Sequence, residues 1–185
     1  MIEIKNLSIS FGEKLVIKDL SFSFKKGFNA IMGPSGSGKT SVAGAILGIV
    51  PYTGMVISDS DKYAAVFQED RLCESISVLK NLKLVCRDVS VIESVLQKFN
   101  MKEEINSQIS ILSGGMKRRV AILRALISDH DNLILDEPFN GLDEGMKETV
   151  MNYIKEKASD KTVILITHNS SEAAFFNCNV LHLNL

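Results

Sequence analysis

Apolar and polar side chains alternate from the first residues of the chain. Ile2, Ile4, Leu7 and Ile9, then Leu15, Ile17, Leu20, Phe22 and Phe24, flank Gly12-Glu13. A period near two belongs to half-buried strands, so the chain is expected to open as a β-hairpin or short antiparallel sheet. The apolar run Phe28 to Met32 then leads into a glycine-rich turn and a helical segment from Lys39 to Leu47, giving strand, loop and helix in that order. Another strand is expected at Ala64 to Phe67.

From Ser77 to about Asn106 the period lengthens. Val91, Val95 and Phe99, together with Ile92 and Leu96, recur at helical spacing, which predicts packed helices in an insert. After Ser113-Gly114-Gly115 a further helix is expected to about Asp129. Leu133-Ile134-Leu135 is uninterrupted and apolar, as in strands buried on both faces of a parallel sheet. Val163 to Ile166 repeats that pattern beyond a helical stretch from Glu144 to Lys157, and Asn179 to Leu183 supplies a last strand. Strands and helices alternating in this way predict an α/β fold with a mainly parallel core sheet, an N-terminal antiparallel β portion and an inserted helical subdomain. With 185 residues, one domain spanning 1–185 is expected, its helical subdomain occupying roughly 70–127.

Charge narrows the function. The 21 basic and 22 acidic side chains leave a formal charge of -1, which provides no footprint for gripping nucleic acid through its phosphates. The longest apolar stretch, Val42 to Val50, falls short of the about 20 residues that cross a bilayer. The N-terminus shows no basic-then-apolar leader. An intracellular chain is expected, with any membrane contact made through protein. Cys73, Cys86 and Cys178 are far apart with no metal or redox spacing, and are expected to be buried as small hydrophobes.

The chemistry starts at Gly33-Pro34-Ser35-Gly36-Ser37-Gly38-Lys39-Thr40, which has the phosphate-loop spacing between a strand and a helix. Its glycines let successive backbone N–H groups turn onto phosphate oxygens, and the helix start adds partial positive charge. Lys39 can reach the terminal phosphates and the Thr40 hydroxyl can ligate magnesium, with Ser41 next in line. A nucleoside triphosphate is the implied ligand, and the fold is that of a P-loop NTPase.

Asp136 and Glu137 end the Leu133–Leu135 strand, where ligands bind in open parallel sheets. Asp136 is placed to hold magnesium through water, and Glu137 to polarise the attacking water as general base. With Pro138 following, a plain surface turn accounts equally well for the pair. Ser113 reads as the N-cap of the helix that follows, and that helix tip is also a second anion site.

Taken together, these residues resemble the ATP-binding cassette (ABC) ATPases. Gly33 to Thr40 resembles the family's Walker A loop, Leu112-Ser113-Gly114-Gly115-Met116 its signature, and Leu133 to Glu137 its Walker B segment. Phe11 is similar to the adenine-stacking aromatic, Gln68 to the glutamine loop, Asn140-Gly141-Leu142-Asp143 to the D-loop and His168 to the switch histidine. Taken one at a time, Phe11, Gln68 and His168 also fit ordinary core, loop and capping positions.

The resemblance implies ATP and Mg2+ as cofactors, with Glu137, His168 and Gln68 in catalysis and Thr40, Gln68 and Asp136 around the metal. Ser113, Gly114, Gly115 and Asp143 would act across an interface on the nucleotide of a second ATPase subunit, a copy of this chain or a similar cassette. It further implies transmembrane permease subunits as partners, received around Gln68 to Ile76, and a cytoplasmic place on the inner face of the membrane through them. Met116 stands where glutamine is more usual, and Asn140-Gly141 where serine-alanine is. Leu112 to Met116, Phe67-Gln68-Glu69 and Asp136 to Phe139 are similar to importers of nitrate, sulfonate, taurine and pyrimidine vitamin precursors, so import is expected. Regulation by an appended C-terminal domain is not expected. A soluble non-transport ABC ATPase and a small P-loop kinase are the alternatives; the kinase gives no purpose to Ser113-Gly114-Gly115 or His168.

Overall fold

The computed structural model describes residues 1–183 and divides into two compact units. The first comprises, among the described residues, Met1–Tyr63, Asp131–Asp136 and 158–183, and the second Ala64–His130 and Glu137–Lys157.

In the first unit, β1 (Ile2–Phe11) and β2 (Lys14–Phe24) form the expected hairpin, closed by the pair Phe11 and Lys14 around Gly12-Glu13. The spacing of Ile2, Ile4, Leu7 and Ile9 is not strictly alternating, yet all four are fully buried. The pairing shifts register between Ile4 and Leu7, where Asn6 adopts φ 49. One extra residue reverses the pleat, so both apolar pairs return to one face.

A strand absent from the sequence expectation, β4 (Thr53–Ser58), lies antiparallel on the other side of β1. Gly54 sits opposite the irregularity with φ 95, and a Cβ there would collide with the carbonyl oxygens of Lys5 and Asn6. Only glycine fits both constraints. Met55 and Ile57 on β4 are about half exposed, at 54% and 46%, so this strand carries no buried alternation to read.

The expected parallel sheet is present. β6 (Asn132–Asp136), β7 (Thr162–Ile166), β3 (Gly27–Met32) and β8 (Asn179–His182) lie side by side in that order. Leu133 and Leu135 pair with Val163 and Leu165, which pair in turn with Phe28 and Ala30. Every residue of β6 and β7 is buried, as their unbroken apolar runs require. The carboxyl ends of β3, β6 and β7 therefore share one edge, bringing Gly33, Asp136 and Thr167-His168 to the same side of the sheet. At the opposite end, buried Asn29 donates to the Lys25, Gly27 and Val163 carbonyls and accepts from the Lys25 amide, knitting the β2–β3 turn to β7. Helix α1 (Lys39–Ile46) follows the glycine-rich turn. A short helix, α6 (Ser170–Phe175), lies between β7 and β8 and was not expected.

The second unit is largely helical. It holds α2 (Val78–Lys83), α3 (Val89–Lys98), α4 (Gly114–Leu126) and all but the last residue of α5 (Glu144–Ala158). The short strand β5 (Tyr63–Val66) spans the boundary between the units. Side-chain caps start three of the helices: the oxygens of Ser77, Asp88 and Ser113 accept the amides of Lys80, of Ser90 and Val91, and of Met116. The buried stripe of α3 is Ile92, Val95 and Leu96, with Phe99 at its end. Val91, expected in that stripe, is 41% exposed, because a helix face wide enough for the core ends one position short of it. Helix α4 stops at Leu126 rather than near Asp129.

The cysteines differ from expectation. Cys73 is exposed, and Cys86 and Cys178 are half-buried, so none is a fully buried hydrophobe. Partial burial still pushes the Cys178 thiol up to about 12. Among the described residues, no helix is long and apolar enough to cross a membrane.

Candidate nucleotide site

In the first unit, the turn from Gly33 to Gly38 joins β3 to α1, and Gly38 caps the helix at φ 90. A Cβ at Gly38 would meet the Val16 and Ile17 side chains at 2.9 and 2.8 Å, so conformation and space both require glycine. Pro34, Ser35 and Gly36 are exposed, presenting the loop to solvent. Lys39 is nearly buried and its Nζ donates to the Gly33 and Pro34 carbonyls at 2.9 and 2.7 Å. An ammonium has three donors, so the side chain that clamps the loop retains one for an anion in it.

One hydrogen bond joins the loop to the far part of the chain. The Thr40 hydroxyl donates to Asp136 Oδ2 at 2.8 Å, although 96 residues separate them. A hydroxyl beside a carboxylate at the edge of a parallel sheet is the hard oxygen donor set that magnesium prefers. The loop fits a phosphate on two further observations. Ser37 Oγ is buried and has no hydrogen-bond partner, a donor inside the loop that an anion would satisfy. A Cβ at Gly33 would run into Ser37 Oγ and the Leu183 carbonyl, so a side chain would fill the cradle.

Two more of the expected site residues belong to this unit. Phe11 stands at the hairpin tip and is 51% exposed, a large aromatic face left in solvent. His168 is exposed just beyond β7, in a turn shaped by its neighbours. Buried Thr167 donates to Glu172 at 2.6 Å and accepts the Asn169 amide at 3.0 Å, which sets the backbone on both sides of His168.

The second unit carries the remaining residues. Gln68 is exposed, between two anchored neighbours: the carbonyl of Phe67 and the carboxylate of Asp70 both accept from Arg118 Nη1, at 2.6 and 3.0 Å. Arg118 Nη2 donates to the Glu137 carbonyl at 2.8 Å. One buried guanidinium thus holds the backbone carbonyls of Phe67 and Glu137 and, on the other side of Gln68, the Asp70 carboxylate. Arg124 extends the clamp to the Arg71 carbonyl at 2.9 Å, and the buried Asn81 amide pairs with both backbone groups of Cys73.

Glu137 itself has φ 45, a left-handed conformation that is uncommon for a residue with a long side chain. Its Oε2 accepts from the Asn140 amide. Ser113 and Gly114 are exposed at the tip of α4. A Cβ at Gly115 would lie 2.9 Å from the Gly141 carbonyl, so that tip and the 140–143 turn are closely apposed. Asp143 Oδ1 accepts the Met146 amide at 2.9 Å and so caps α5. In this structure Ser113 and Asp143 therefore have the local capping roles that their residue types suggest.

Arg118 was missed as a site residue by the sequence reading. A signal was present: it occupies a position in line with Ala121, Ile122 and Ala125 on the buried stripe of α4, where a charge needs partners. Arg118→Met is expected to lower unfolding free energy by about 3 kcal/mol, since Asp70 and two carbonyls lose their donor. Urea unfolding followed by circular dichroism would measure it.

A glycine-rich loop opening a helix, with a hydroxyl and a carboxylate meeting behind it at the edge of a parallel sheet, defines a P-loop domain that binds nucleoside triphosphate. Residues 17–140 match the ABC transporter family. The chain belongs to that family, as an ATP-binding ATPase domain whose cofactors are ATP and Mg2+. It is 34% identical over 194 residues to the Nod factor export ATP-binding protein I of Rhizobium johnstonii, covering 93% of this chain and 62% of that protein. The protein of the same name from Cupriavidus pinatubonensis is 30% identical, covering 98% and 62%. The chain thus spans about three-fifths of the length of these relatives.

Among solved structures, a bacterial ABC transporter cassette in dimeric form superposes with a TM-score of 0.86 at 27% identity, covering all of this chain and 94% of that one. A bacterial Atm1-family ABC exporter with ATP bound shares the fold, with a TM-score of 0.88 at 21% identity, covering all of this chain and 37% of that one.

Proposed function

We propose that this chain is the ATPase subunit of a membrane transporter, working as one of two cassettes that close around ATP. The hydrogen bond between Thr40 and Asp136 carries the reading, because it joins the phosphate loop to the strand end that supplies the metal-binding carboxylate. ATP supplies the transferable γ-phosphoryl group, and Mg2+ neutralises charge on its phosphates. The chain's residues do the rest.

Phe11 stacks on the base, and the backbone and side chains from Gly33 to Ser41 cradle the phosphates. Thr40, Asp136 and Gln68 hold the metal. Glu137 accepts a proton from the attacking water as general base, while Gln68 and His168 position the reacting groups. Ser113, Gly114, Gly115 and Asp143 reach the nucleotide of the second subunit. Phosphoryl transfer depends chiefly on positioning and charge stabilisation, so an isolated subunit lacking the far contacts hydrolyses slowly. We read 1–185 as a single domain with its helical subdomain at about 70–127, and the membrane partner as docking on the segment from Gln68 to Ile76 at the inner face of the membrane.

The short-motif likeness to importers finds no support among the relatives, whose names speak of export. Export is therefore the direction we propose. The soluble and kinase alternatives gain no observation in their favour.

Cross-linking tests the two-cassette arrangement. Ser35 and Ser113 are both exposed, so each can be replaced by cysteine in a background where Cys73, Cys86 and Cys178 are serine. With Glu137→Gln to block turnover, a short bis-maleimide is expected to join Ser35→Cys and Ser113→Cys chains into dimers only when ATP and Mg2+ are present. Monomers under every condition would rule the arrangement out. Co-purification with a multi-span membrane protein encoded beside this chain tests the transport assignment.

A further inference from the structure

Glu137 is held at both ends. Its carbonyl receives Arg118 Nη2, and its left-handed backbone sets the direction in which the side chain leaves. At the far end the Asn140 amide donates to Oε2. The turn that makes this possible is closed by the Asn140 amide N–H on the Glu137 carbonyl at 3.3 Å and by Leu142 N on Phe139 O at 3.3 Å. It folds Asn140 back over the residue three positions earlier.

We propose that Asn140 is a positioning residue for hydrolysis, whose side-chain amide holds the Glu137 carboxylate in one orientation. The proposal rests on Glu137 being the general base. A free glutamate side chain samples several rotamers, and a base must lie within hydrogen-bond reach of the water it addresses. A carboxylate offers about four lone-pair directions on two oxygens, so a bond to Oε2 restricts the group without exhausting it. Asn140 is exposed and replaceable without opening the core.

Two measurements test this. In the nucleotide-free, 15N-labelled chain, the Asn140 side-chain amide is expected to be protected from exchange with water and to shift in Glu137→Gln. Signals with the exchange rate of a free amide, unmoved by Glu137→Gln, would overturn the proposal.

In steady-state hydrolysis, Asn140→Ala is expected to lower kcat about tenfold while KM for ATP stays within about twofold. Asn140→Asp has the same shape but sets one carboxylate against another, so kcat falls further; a side chain that only packs would tolerate that change. In a Glu137→Gln background, Asn140→Ala should cost nothing more. If Glu137→Gln is inert and Asn140→Ala keeps full kcat, this proposal fails alone. If Glu137→Gln turns over normally, the general-base reading has failed first.

Discussion

Glu137→Gln is expected to reduce ATP turnover by a factor of about 10² to 10⁴, the usual contribution of a positioned general base. The substitution keeps the size of the side chain and its ability to meet Asn140, but removes the group that accepts a proton from water. The backbone should persist, because the Arg118 bond to the residue 137 carbonyl does not depend on the side chain. Binding of ATP with Mg2+ is therefore expected to survive. The measurement pairs phosphate release under saturating nucleotide with equilibrium binding of a fluorescent ATP analogue. Turnover near the unmodified rate would remove Glu137 from its role and transfer the proton to another group.

Lys39→Met should act on the other half of the problem, weakening nucleotide binding by about a hundredfold. Charge-assisted hydrogen bonds to phosphate are among the strong ones. In this chain the same ammonium also holds the Gly33 and Pro34 carbonyls, so its loss loosens the loop as well as removing the charge. Lys39→Arg is not expected to restore binding, since a planar fork cannot occupy the nearly buried position of a compact ammonium. Isothermal titration with ATP and Mg2+ checks both variants. A dissociation constant unchanged in Lys39→Met would show that the backbone amides alone bind the phosphates.

The two variants separate binding from chemistry because the residues lie in different parts of the chain. Lys39 lies in the first unit, at the start of α1, and Glu137 in the second. A variant that lowered kcat and raised KM together would not separate the two roles.

Much of this was legible in the residues themselves. The unbroken apolar runs at 133–135 and 163–166 announced buried parallel strands, and the structure buries every residue of both. The phosphate loop was legible because its function resides in backbone geometry, and glycine spacing writes backbone geometry directly into sequence. Met55 and Ile57 show the opposite case. Half exposed on β4, they form a strand through pairing with β1, and pairing with a distant segment leaves no periodic mark. Val91 shows a milder failure, since periodicity gives the stripe of a helix but not its edges.

Residue order therefore determined the class of element at most positions, the phosphate loop with its lysine and threonine, and a carboxylate pair in front of Pro138. It left that pair open between a metal site and a surface turn. Tertiary structure adds what the sequence lacks for Asp136: laying β6 beside β7 and β7 beside β3 carries its carboxylate to the Thr40 hydroxyl across 96 residues. Tertiary structure alone also revealed that Arg118 anchors the Glu137 backbone and that Asn140 holds its carboxylate. Local propensity and spacing record what a residue does with its near neighbours, whereas partners brought together by a crossover or a tight turn exist only once the chain has folded.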